Sequence, residues 1–134
     1  MAKTLQAARG EDGEPPFRRY DHAEGPVTAL AVDYPPGHVT PAHRHPHAQL
    51  LHAVHGVMVV STQQGQWVVP PTRGMWVPAE TEHSTRMVGV VHMRTAFIRP
   101  EAAPDLPDAC AVLGVSPLLR ELIIAALDVT QPYA

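Results

Sequence analysis

The sequence predicts a mainly β protein, an antiparallel sandwich or jelly roll with a short helical segment near its end. Short runs rich in β-branched residues recur between Pro- and Gly-marked turns. Fifteen prolines in 134 residues work against long helices. Only after Pro107 does the apolar spacing change from a period of two to the three-and-four rhythm of a helix. One folded unit is expected, because 45% apolar content over this length is enough for a single core.

Residues 1–15, from MAKTLQAARGEDGEPP, are polar and hold too little apolar surface to order themselves, so they read as a flexible tail. The barrel is expected over residues 16–104. Val27 to Tyr34 (VTALAVDY) is a strand ending at the Pro35-Pro36-Gly37 turn. Val39 to His45 is a short strand interrupted by Pro41, and Pro46 blocks its continuation through His47. Leu50 to Ser61 splits at Gly56 into LLHAV and VMVVS, and Gln63-Gln64-Gly65-Gln66 turns the chain into WVVP. Met75 to Pro78 and Met87 to Arg99 continue the pattern. Within the last run Val91, Met93, Thr95 and Phe97 share one face, and His92, Arg94, Ala96 and Ile98 the other.

Residues 105–134 are read as helical. Ser116 is a good N-cap and Pro117 a good first helical residue, after which Leu118, Leu119, Leu122, Ile123, Ala126 and Leu127 recur at helical spacing. Asp108 to Leu113 is read as a shorter helix, with Gly114 as the break. The apolar stripe is wide for one short helix on one barrel. Leu118, Leu119, Leu122 and Ile123 are therefore the expected interface of a homodimer.

Charge and composition exclude several function classes. The net charge is −3 and no Lys/Arg cluster exceeds Arg18-Arg19, so the chain lacks an electrostatic footprint for a phosphate backbone. Cys110 is the single cysteine, which excludes an internal disulfide and fits a reducing compartment. No apolar run approaches the roughly 20 residues of a membrane helix, and Met1 to Gly13 lacks a signal-peptide core. A cytoplasmic protein without a membrane partner is expected. With no G-x-S-x-G and no Gly-rich loop before a helix, metal-dependent chemistry is the only catalytic reading.

That chemistry concentrates in Gly37 to Gly56, GHVTPAHRHPHAQLLHAVHG, which holds six of the nine histidines. Side chains two apart on a strand share a face, so His43 and His45 can converge on one point. His83, arriving from PAETEH, can close the site, and Gln49 offers a carboxamide oxygen. His43, His45, Gln49 and His83 are thus a candidate set for zinc, nickel, iron or manganese, or they line a polar pocket. His47, His52 and His55 are substitutes; His52 and His55 cannot both face inwards on a regular strand. Met58, Trp67, Trp76 and Phe97 are candidate walls of a ligand pocket, with core packing as the alternative.

These residues resemble the cupin family. Its first motif, Gly, five residues, His-x-His, three or four residues, Glu, six residues, Gly, is matched by Gly37, His43, His45 and Gly56, with Gln49 in the place of Glu. Pro78 and His83 fit the second motif, Pro-x-Gly-x-x-His followed by Asn, from which Glu80 and Met87 depart. HRHPHAQLLHAVHGVMVVSTQQGQWVVPPTRGMWVPAETEH, MRTAFIRP and CAVLGVSPLLRELIIAAL, in that order, are similar to the sensor half of AraC-type transcription regulators, over about residues 16 to 128. This resemblance implies a double-stranded β-helix, a small-molecule effector, dimerisation through the helices after the barrel, and DNA contact only through a helix-turn-helix domain absent from this chain. A piece of a longer regulator is the expectation, with a free-standing relative as the other option. The alternative function is a small metal-dependent cupin enzyme of oxygenase or isomerase type.

Overall fold

The computed structural model describes Thr4–Leu5 and residues 25–129, and there the protein is a jelly roll with one helix laid on its outer face. The strands are β1 (Thr4–Leu5), β2 (Val27–Tyr34), β3 (Val39–His43), β4 (Ala48–Thr62), β5 (Gly65–Val69), β6 (Arg73–Val77), β7 (His83–Ile98) and β8 (Ala111–Gly114), followed by α1 (Pro117–Ala126). The hydrogen-bonded path is β1-β2-β7-β4-β6-β8, with β3 also on β7 and β5 also on β4. Apart from Thr4–Leu5, whose backbone runs parallel to β2, the tail expected over residues 1–15 lies outside the described residues.

β4 and β7, at 15 and 16 residues, pair with each other along most of their length and take different second partners at their two ends. β7 pairs with β3 near its start and with β2 towards its end, while β4 pairs with β6 first and β5 later. The junction is irregular. Register shifts flank His55, and Gly56 and Gly89 take left-handed φ angles of 89° and 72°. Gly56 does not split the segment into two strands as expected. It is part of a bulge in one strand, where a Cβ would lie 2.2 Å from the Val90 carbonyl oxygen.

The alternation read from β7 places each residue on the expected side. Val91, Met93 and Phe97 join Leu30, Met58 and Met75 in the barrel core. Ala96 faces outwards with Ala48, Leu50 and Trp76, against Ile123 of α1. The helix begins where its caps predict, with the Leu119 N–H donating to Ser116 Oγ at 3.1 Å and Pro117 in the first turn. Its inner face buries Ile123 and Leu127, the latter against Ala29 and Ala31, and half-buries Leu119. Its outer face leaves Leu118 and Leu122 at 70% and 56% exposure.

One helical reading is corrected. Ala111–Gly114, expected within a short helix, is β8, antiparallel to β6 with Val112 opposite Met75. A short apolar run has no periodicity that separates strand from helix. The edge of β6 decides it, since its backbone groups need partners and the pairing continues as the Val115 N–H donates to the Thr72 oxygen at 3.0 Å.

The two left-handed glycines separate strain from collision. Gly89→Ala meets open space and should cost about 1 kcal/mol for its φ alone. Gly56→Ala adds the clash with Val90 and should cost about 3 kcal/mol or fail to fold. Urea denaturation of the two variants measures the difference.

Candidate metal centre

His43 ends β3 directly opposite His83, the first residue of β7. The strand expected to reach His45 stops two residues earlier, so His45 lies in the following loop. Its backbone is held there by the Glu80 N–H, which donates to the His45 oxygen at 2.9 Å. Glu80 stands where the cupin motif has Gly and adopts a left-handed φ of 62°, a strain of about 1 kcal/mol. With the loop so fixed, one ring nitrogen from each of His43, His45 and His83 lies within 4.8 Å of the others. The ring centres are 5.6 Å apart for His43–His45, 4.4 Å for His43–His83 and 5.1 Å for His45–His83.

Each ring is oriented by a backbone carbonyl. The Nδ1–H groups of His43, His45 and His83 donate to the oxygens of Pro41, His47 and Thr81 at 2.7, 2.8 and 2.8 Å. A neutral imidazole with its proton on Nδ1 presents a lone pair at Nε2, which is how ligating histidines are commonly held.

Gln49 completes the arrangement. Its Nε2 donates to Thr95 Oγ1 at 3.0 Å, and the Thr95 hydroxyl donates to the Leu50 oxygen at 2.7 Å. This orientation turns Gln49 Oε1 towards His45 Nε2 at 2.9 Å. With the His45 proton on Nδ1, the Nε2 lone pair would face this oxygen, a contact that a shared cation would relieve. Neighbouring ligands about 2.1 Å from one ion at a right angle sit about 3 Å apart. The opposite carboxamide orientation would donate to His45 but draw the Thr95 hydroxyl away from Leu50. The three imidazoles therefore fit a divalent ion, with the Gln49 carboxamide oxygen beside His45.

The pocket residues divide. Met58 and Phe97 are buried in the core with Trp67 packed against it, and Phe97 meets the His45 ring edge-on at 5.2 Å. Trp76 lies on the other face of the sheet, beneath α1, with its Nε1–H donating to the Pro107 oxygen at 2.6 Å. His52 is also buried, its Nδ1–H directed to the Arg73 oxygen at 3.1 Å. His47 contributes its carbonyl to His45. Sequence reasoning missed Thr95, whose inward place on β7 was legible, and the three carbonyls, which carry no side-chain signal. Two adjoining clefts of about 250 and 230 Å³ share Thr62, Gln63 and Glu82, and the second reaches His83.

Burial pushes the His83 imidazole down to about 4, with the Thr81 carbonyl opposing and His43 and His45 adding to the fall. The unfolded chain protonates His83 near 6.5. Between pH 6.5 and 4 the unfolded state therefore binds more protons at this residue. Its effect on stability is absent above 6.5 and grows as pH falls, reaching about 3 kcal/mol of destabilisation near pH 4. Burial lowers His52 as well, in the same sense. In metal-free protein, His83→Gln should flatten the decline in stability over this window without abolishing it, as measured by urea titrations at stepped pH.

A family profile described as the AraC-like ligand binding domain matches residues 25–130. The HTH-type transcriptional regulator NimR of Escherichia coli (strain K12) is 35% identical over 91 residues, covering 68% of this chain and 33% of that protein. The chain thus spans about a third of that relative's length. Among solved structures, the DMSP lyase DddQ from Ruegeria pomeroyi DSS-3 aligns with a TM-score of 0.52 and 23% identity, covering 78% of this chain and 48% of that one. Oxalate decarboxylase of Bacillus subtilis aligns at 0.51 and 16%, covering 80% and 30%. The structural likenesses report the fold; the profile reports descent. Matched from residue 25 to 130 and folded as a cupin-type jelly roll, the chain belongs to the AraC-like ligand binding domain family.

Proposed function

We propose that this domain senses a small molecule through a metal centre and relays its state to a dimer, as the effector half of an AraC-type transcription regulator in the cytoplasm. The family match over residues 25–130 carries the regulator reading. His43, His45, His83 and Gln49 would hold one zinc, nickel, iron or manganese ion. Support comes from the three converging ring nitrogens and from Bacillus subtilis oxalate decarboxylase, a fold neighbour with Mn(II) centres. An ion there supplies a Lewis-acidic position that three imidazoles and a carboxamide leave at full double charge. Such a position favours a small anionic oxygen ligand as effector, reaching it by the cleft beside His83. The metal-dependent enzyme alternative uses the same residues, and the regulator relative weighs against it.

Strand alternation supplies a route from the centre to the helix. Gln49 faces the centre, while its neighbours Ala48 and Leu50 face α1. Phe97 touches His45, while the adjacent Ala96 packs under Ile123. A change at the centre is therefore one peptide unit from the helix floor.

Two predictions follow the two halves of the reading. Metal-free protein dialysed against zinc, nickel, manganese and iron(II) should retain at least one ion per chain by elemental analysis. His45→Ala should retain one ion per chain fewer than the native protein while keeping its β-type circular dichroism, and Gln49→Glu should bind more tightly at this centre because a carboxylate offsets the cation's charge. Substoichiometric metal in every case would end the sensing mechanism.

For the dimer, sedimentation at tens of micromolar should give twice the chain mass, and Leu122→Glu should halve it without lowering the melting temperature, because Leu122 points outwards. Ile123→Glu, under the same helix, should instead destabilise the fold by about 3 kcal/mol or more. A monomeric native chain would refute dimerisation through this face.

A further inference from the structure

Outside the barrel a second group of metal-ligating side chains lies in a row across three strands. Asp33 of β2 is paired with His92 of β7, and His92 with His55 of β4. Directly opposed residues of antiparallel strands project to one side. Here it is the outer side, since Val32 and Tyr34 on β2 and Val91 and Met93 on β7 fill the core.

His55 is there because of the bulge. Leu51 and Ala53, at odd positions of β4, point into the core, but beyond the bulge the inward residues are the even Met58 and Val60. A regular strand would carry the odd-numbered His55 inwards. The register shifts on both sides of it aim it outwards beside His92 instead. The two rings lie with centres 5.2 Å apart, tilted at 51°. Imidazoles sharing one ion through nitrogens about 2.1 Å away, at a roughly tetrahedral angle, have ring centres about 5 Å apart. The three histidines of the barrel centre span 4.4 to 5.6 Å by the same measure.

His92 is also oriented as a ligand. Its Nδ1–H donates to Asp33 Oδ1 at 2.9 Å, which directs the Nε2 lone pair away from the carboxylate, the carboxylate–histidine–metal arrangement. Asp33 Oδ1 also accepts from Arg94 Nη1 at 2.9 Å, and that nitrogen donates to the Met93 oxygen at 2.8 Å. The carboxylate thus screens the guanidinium from a cation on the imidazole side. His92 and Asp33 are only about a third exposed, and the remaining coordination positions open to solvent.

We propose that His55 and His92 form a second site, on the outer face of the sheet, for a borderline transition-metal ion such as Ni²⁺, Cu²⁺ or Zn²⁺, with Asp33 positioning His92. Its nitrogen donors exclude Mg²⁺ and Ca²⁺, which take oxygen. The site is independent of the barrel centre and of the sensing role.

The test is Ni²⁺ titration of metal-stripped chain by calorimetry, with NMR detection of the imidazole resonances, in the native protein and in His45→Ala. The expected result is a binding event that persists in His45→Ala and broadens the ring signals of His55 and His92 together. His55→Ala and His92→Ala should each weaken that event at least tenfold, and Asp33→Asn by about tenfold. Mg²⁺ should produce no broadening. If His45→Ala proves unfolded, loss of the second equivalent of Ni²⁺ in His55→Ala of the native chain serves in its place. Unchanged affinity in both histidine variants, or broadening of one ring without the other, overturns the proposal.

Discussion

The antiparallel pairing of β4 with β7 is the constraint on which everything else depends. Each strand has one face in the barrel and one outside it, under α1 near Leu50 and Ala96, so a slip of a single residue would exchange the two sets of side chains. The register sets Gln49 opposite Phe97 and Leu50 opposite Ala96. The first pair belongs to the histidine centre and the second to the helix floor. Burial fixes that choice, since Leu50 and Ala96 under Ile123 and Phe97 among the core methionines would all lose their partners in the other register. The bulge at Gly56 is the accommodation the strands require where they pass from one set of partners to the next.

The histidine centre depends on the same frame but on a different interaction. Three buried or half-buried imidazoles within ligand distance of one another would repel if charged. Burial resolves this for His83 by keeping it neutral down to about pH 4. Backbone carbonyls fix the tautomers, so the lone pairs point where a cation can sit. Gln49 contributes orientation rather than charge, and Thr95 fixes Gln49.

Local signals were legible where a residue's environment follows from its own chain neighbours. The strand Val27–Tyr34 and the faces of β7 follow from alternation. The start of α1 follows from Ser116 and Pro117, and the His43, His45, His83 set from spacing. What was not legible depended on distant chain. Ala111–Gly114 became a strand because β6 had an edge to fill. Gly56 became a bulge because Val90 approaches it, and β3 stopped at His43 because Glu80 reaches the His45 carbonyl. Trp76 went under the helix rather than into the barrel, a choice that parity alone could have made only with the register of β6 against β4 in hand.

The energetics of α1 are compatible with the proposed relay. Its inner face is held mainly by Ile123 and Leu127, and each such side chain contributes about 1.5–3 kcal/mol when fully buried. Coupling between sites is typically 1–3 kcal/mol. A helix docked by so few side chains therefore has a docking energy of the same order as the free energy an effector can deliver. A ligand shifts an equilibrium only by its differential affinity for the two states, so a helix seated by a much larger core would not respond. The outward Leu118 and Leu122 ride on this element, and in the proposed dimer the apolar surface they present would then vary with how the barrel holds Ile123.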